Sequence, residues 1–78
     1  ALDRRTFVRD IMPDETIFSV KQKIQYEEST LDPDKQELVF KSIQLEDHRI
    51  LSYYKIQPES ILNLTLTMRC FMNEIIIE

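Results

Sequence analysis

Between Pro13 and Pro33 the chain has room for one helix, and that single helix is what the rest of the sequence must pack around. Ile17, Val20 and Ile24 recur at spacings of three and four, which gives one apolar stripe on a helix of about three turns. Thr16 is its expected N-cap, and Asp14 and Glu15 place negative charge near its start. Lys21 and Lys23 are expected to face water. Asp32-Pro33-Asp34 forms a turn that the helix cannot cross.

The remaining periodic segments read as strands. Thr6 to Ile11 is β-prone and ends at Met12-Pro13, where proline halts a ladder. Lys35 to Phe40 reads as a short strand, and Ser42 to Leu45 as a second one after a tight turn. Asp47 to Tyr54 is a loop with room for a helical turn, anchored by Leu51 and Ile56. From Ser60 to Met68 the chain alternates, with Leu62, Leu64 and Leu66 on one face and Asn63, Thr65 and Thr67 on the other. Strand, helix, two short strands, turn and strand make an α+β domain, with one helix across a mixed sheet.

At 78 residues the chain makes one domain, and its 42% apolar content suffices for one core. The net charge of −4, with acids and bases interleaved, argues against a nucleic-acid partner, which needs a concentrated basic face. No apolar stretch approaches a membrane span and no leader-like segment precedes the first strand, so no membrane partner is expected. Cys70 is the only cysteine, which excludes an internal disulfide. The expected setting is a reducing one, cytoplasmic or nuclear. With zero glycines, the turns must be made by residues such as Asp3, Ser29, Ser42, Asp47 and His48.

The quoted segments also carry a likeness. Pro13-Asp14-Glu15-Thr16-Ile17, Val20-Lys21-Gln22-Lys23-Ile24-Gln25, Leu38-Val39-Phe40, Gln44-Leu45-Glu46-Asp47-His48-Arg49-Ile50-Leu51, Tyr54-Lys55-Ile56-Gln57 and Leu62-Asn63-Leu64 occur in an order and at spacings that resemble ubiquitin. The similarity runs over residues 1–69, with a one-residue insertion near Ser29 to Leu31, and residues 70–78 form an extension. It implies a β-grasp fold, with Ile11, Ile17, Val20, Ile24, Leu38, Leu45, Leu51, Ile56, Leu62 and Leu64 in the core. Arg9 falls where that family buries an aliphatic residue, so a shifted register, a bulge or a snorkelling stem is expected there.

The family's first strand has no counterpart before Ala1, yet Met72-Asn73-Glu74-Ile75-Ile76-Ile77-Glu78 resembles it. A circular permutation, a piece of a tandem array and an unrelated apolar tail all fit this. The resemblance implies that first and last strands are parallel neighbours. Such a connection usually needs about a dozen residues, and only Arg69 to Met72 are free to make it. Ile75, Ile76 and Ile77 therefore either complete the sheet of a second copy, giving a homo-oligomer by strand exchange, or fold back as an antiparallel hairpin onto Leu62–Met68.

The resemblance places the family's conjugation tail on Thr67-Met68-Arg69-Cys70-Phe71, where its two glycines become Cys70 and Phe71. Two of the family's chain-building lysine positions are Ile43 and Pro58. The family's apolar recognition face falls on Leu2, Val39 and Thr65, with Asn63 in place of the adjacent histidine, and Ile43 and Leu66 are expected to extend it. Phe18 and Tyr53 are isolated aromatics of little weight. His48 stands in a turn, and Glu27, Glu28, Asp32 and Asp34 read as a solvated rim, so no catalytic set, metal site or cofactor is expected. The resulting expectation is a non-conjugatable ubiquitin-like module. It would bind protein partners of the ubiquitin-receptor, proteasome or ligase type through Leu2, Val39, Ile43, Asn63, Thr65 and Leu66. The alternatives are a strand-swapped structural module and a processed modifier.

Overall fold

A computed structural model of the chain describes residues 5–67 and 69–78, with residues 69–72 described as backbone only. Its elements are β1 (Arg5–Val8), α1 (Ile17–Glu27), β2 (Gln36–Phe40), β3 (Ile43–Gln44), β4 (Ile61–Leu66) and β5 (Arg69–Ile77), with 3-10 turns at Pro33–Lys35 and Leu51–Tyr54. The strands form one mixed sheet in the order β1-β5-β4-β2-β3. The helix lies on one face of it. Ile17, Val20 and Ile24 are all 0% exposed and share one cluster with Val8, Leu38, Phe40, Leu62, Leu64, Ile75 and Ile77. This is the expected α+β, β-grasp arrangement.

Thr16 caps the helix from an extended backbone, its Oγ1 accepting from the Ser19 N–H at 3.1 Å. Glu15 holds the approach to the helix. Its carboxylate accepts from the Met12 N–H (2.6 Å) and the Ser19 hydroxyl (2.9 Å), and it pairs with Lys23 (3.0 Å). Burial pushes this carboxyl upward, but the hydrogen bonds from Met12, Lys23 and Ser19 outweigh it, so Glu15 titrates below the ordinary glutamate range. Lys21 departs from expectation. It is only 6% exposed and its Nζ lies 2.6 Å from Asp47 Oδ1, so it does not face water. The reason is the 47–50 loop, which hydrogen-bonds to the first turn of the helix through Ile17 N–H to Arg49 O and Phe18 N–H to Asp47 O. That docking brings a carboxylate over the lysine.

The glycine-free turns settle on Asp10, Lys41, Ser42, Lys55 and Glu59, all at positive φ. Of the residues expected to do this, Ser42 does. Ser29 does not, and neither do Asp47 and His48, because the 46–49 turn closes through Arg49 N–H to Glu46 O without a left-handed residue. Asp3 lies outside the described residues. Left-handed backbone costs a non-glycine residue roughly 1–2 kcal/mol, a cost that the packed core must offset.

The C-terminal strand completes the sheet within the same chain. β5 runs antiparallel to β4, with Leu62 opposite Ile75 and Leu64 opposite Asn73, and parallel to β1, with Arg5 opposite Glu74 and Val8 opposite Ile77. Of the two arrangements left open, this is the hairpin. The segment fills the slot that the resemblance assigned to the first strand, but it runs in the opposite direction relative to β4. The short link after Leu66 allows only this direction. The strand's course is the reverse of the one that a permuted family order implies, and the Glu78 N–H meets the Val8 carbonyl at 2.9 Å.

The same pairing resolves Arg9. The strand is turned by one residue, so Val8 is 2% exposed in the core and Arg9 points outward to Glu78 Oε1 at 2.7 Å.

Two outcomes follow from this packing. Ile75→Ala should cost about 2–5 kcal/mol by urea unfolding, whereas Ile76→Ala, on the other face of β5, should cost under about 1 kcal/mol. Glu15→Gln should cost about 1–2 kcal/mol at neutral pH. A carboxylate with a lowered folded-state pKa stabilises above its unfolded titration and loses that contribution as pH falls through the folded value. The difference between Glu15→Gln and the parent chain should therefore vanish in acid unfolding curves.

Candidate docking face

The face of the sheet opposite the helix is built by alternation along each strand. One row of cross-strand neighbours spans all five strands: Arg5, Glu74, Asn63, Val39 and Gln44. A second row joins Phe7, Ile76 and Ile61. A third places Thr65 beside Glu37. Phe7 and Ile61 are each about half exposed, at 49% and 48%. Apolar side chains at Phe7, Ile76, Ile61 and Val39 therefore form a band across the outer face. Ion pairs line its rim, Arg5 Nε to Glu74 Oε1 at 3.1 Å and Arg9 Nε to Glu78 Oε1 at 2.7 Å.

Of the site residues read from the sequence, Val39, Asn63 and Thr65 come together on this face. Two others do not, and this corrects the expected patch. Leu66 pairs with Gln36, shares the inward side with Leu62 and Leu64, and packs partly buried against the core. Ile43 pairs with Phe40 and not with Val39, because the β2–β3 hairpin sets Gln44 opposite Val39. It lines a separate groove of about 410 Å³ with Phe40, Tyr53 and Tyr54. Leu2 lies outside the described residues. Ile75 and Ile77 are buried in the core of their own chain, and Ile76 reaches the outer face.

Phe7, Ile61 and Ile76 were missed as face residues. For Ile61 the signal was present, because it continues the outward set Asn63 and Thr65 by period two. For Phe7 it was hidden by the one-residue turn of β1, and for Ile76 by the undecided direction of β5.

Elsewhere the chemistry is sparse. His48 is exposed, with Glu46 Oε1 3.7 Å from its Nε2. Arg49 stacks over the Tyr53 ring at 4.2 Å, and Tyr54 meets that ring edge-on. Phe18 is 38% exposed. A groove of about 690 Å³ runs between β1 and the helix, lined by Phe7, Lys23, Tyr26 and Glu27 among others. Among the described residues no three His, Cys, Asp or Glu side chains are grouped to hold a metal, and no helix is long and apolar enough to cross a membrane. Cys70 lies within the backbone of β5.

A model of the ubiquitin family matches residues 1–69, most of the chain. The chain belongs to the ubiquitin family, a group of protein modules that act as modifiers or interaction domains.

The division into two faces is directly testable by stability. Val39→Asp and Ile61→Asp should each change unfolding free energy by less than about 1 kcal/mol. Leu66→Asp, which puts a charge toward the core, should cost more than about 3 kcal/mol in the same chemical denaturation series.

Proposed function

We propose that this member of the ubiquitin family is a noncovalent protein-interaction module, docking through the outer sheet face. The observation that carries the proposal is the band of Val39, Ile61, Ile76 and Phe7 on the sheet face that the helix leaves uncovered. Asn63 supplies a polar partner in the adjoining row with Thr65 one row beyond, and Arg5, Arg9, Glu74 and Glu78 flank the band with charge, the common anatomy of an interface. Partners of the ubiquitin-receptor, proteasome or ligase type, in cytoplasm or nucleus, fit such a face. The module works by binding and not by catalysis.

Conjugation through its own tail does not fit. Activation requires a slim glycine end, and the matching positions here are Cys70 and Phe71 inside a sheet strand. A second reading, a strand-exchanged oligomer, is favoured by the link between β4 and β5. In sequence only Thr67 and Met68 stand between Leu66 and Arg69, and neither is the Gly, Asn or Asp that tight hairpins favour.

Titrating a ubiquitin-receptor domain into the isotope-labelled chain tests the first reading. Amide shifts should map to Val39, Ile61, Asn63 and Thr65, and Ile61→Asp should weaken binding at least tenfold. Shifts confined to the helix face, or none at all, would overturn it. Incubation with activating enzyme and ATP should yield no thioester. Light scattering over a hundredfold concentration range tests the second reading.

A further inference from the structure

We infer that β1 and β5 carry a matched recognition code, and that the slot between β1 and β4 accepts the Asn73–Glu78 segment of a second copy of this chain as well as its own. This rests on the strand-exchange reading above and specifies what is recognised.

The code has an outer and an inner part. On the outer face, Arg5, Phe7 and Arg9 of the β1 segment stand against Glu74, Ile76 and Glu78, a basic-apolar-basic set against an acidic-apolar-acidic one. A slip of β5 by two residues would set Glu74 against Phe7 and Ile76 against Arg9, losing both ion pairs. On the inner face, Asn73 is 4% exposed and its Nδ2 donates to Thr6 Oγ1 at 3.0 Å. Its Oδ1 finds no partner among the described residues. A buried polar group satisfied in only one alignment penalises the others.

The charges alone do not fix direction, because Glu74-Ile75-Ile76-Ile77-Glu78 reads the same from either end. Asn73 breaks that symmetry. Charges therefore set register; in cis the short link after Leu66 sets polarity, and in an exchanged pair, where that tether no longer constrains the strand, the Asn73–Thr6 bond selects the same polarity.

The hairpin supplies the route to exchange. β4 shifts register between Thr65 and Leu66, immediately before the Thr67–Met68 link. If the β4–β5 link straightens, β5 enters the slot of a neighbour with every pairing retained.

Two variants of the whole chain test the code. One carries Arg5→Glu and Arg9→Glu, the other Glu74→Arg and Glu78→Arg. Each alone sets like charges across β1 and β5, in cis or in a homodimer. Mixed, they match in all four positions only when β5 is exchanged between them. Native mass spectrometry of the mixture should show heterodimer at least tenfold above either homodimer, with the excess falling as salt is raised. The chain carrying all four substitutions should behave like the parent, which shows that the residues themselves are tolerated. If either variant is unfolded alone, recovery of β-sheet circular dichroism on mixing reads the same complementation.

A statistical mixture, or no heterodimer, overturns the code. If the parent chain is dimeric while these variants pair statistically, the code fails and the exchange reading stands. If the parent is monomeric at every concentration while the mixture forms heterodimer, the code stands and the oligomeric reading fails.

Discussion

The pairing between β5 and β1 is what the remaining structure depends on, because β5 is the one neighbour that β1 has among the described strands. Removing β5 would detach β1 and open the core beside Leu62 and Leu64, since Ile75 and Ile77 fill the gap between those leucines and Val8. Each fully buried isoleucine contributes on the order of 1.5–3 kcal/mol, so this one strand supplies a large share of a marginal stability. The flanking ion pairs are solvent-exposed, and each adds at most about 1 kcal/mol. Burial therefore drives β5 into the slot, and the charges determine where along the slot it comes to rest.

The candidate docking face and the sheet's integrity share residues. Glu74 and Ile76 sit in two of the rows that make up the outer face, while their neighbours Asn73, Ile75 and Ile77 complete the core beneath. A partner bound across Ile61 and Ile76 would cover the β4–β5 seam and hold the hairpin closed. Exchange of β5 would instead build each face from two copies. Because exchange retains every pairing, one face serves both readings, and a ligand there shifts the equilibrium only by binding one form more tightly than the other.

The helix and the longest alternating strand were legible because their periods are local. Ile17, Val20, Ile24, Leu62 and Leu64 lie where the spacing of three, four or two puts them, and Thr16 caps the helix as its chemistry suggests. The failures are non-local. Lys21 is buried by Asp47, a residue 26 positions away. Ile43 and Leu66 were grouped with Val39 by closeness in the expected fold, yet a two-residue hairpin and strict alternation send them elsewhere. Val39, Asn63 and Thr65 were legible as face residues through the family resemblance, and for Asn63 and Thr65 the alternation of their strand agrees with it. The positive-φ positions were not, because Lys41, Lys55 and Glu59 hold that conformation for reasons of closure and not of preference.

The direction of β5 shows most clearly where sequence likeness and geometry part. The tail resembles a strand that runs parallel to its neighbour, but side-chain pattern specifies face and register more strongly than polarity. A segment reading Glu-Ile-Ile-Ile-Glu presents the same two acids and the same inward pair, Ile75 and Ile77, from either end. It satisfies the core whichever way it lies. Connectivity then decides: a link of two residues after Leu66 permits the antiparallel course along β4 and no other, which makes the pairing with β1 parallel. Asn73 falls beneath the sheet, beside Thr6, only in that orientation. The tail thus occupies the centre of a ubiquitin-family sheet in reverse because its pattern is symmetric and its tether is short.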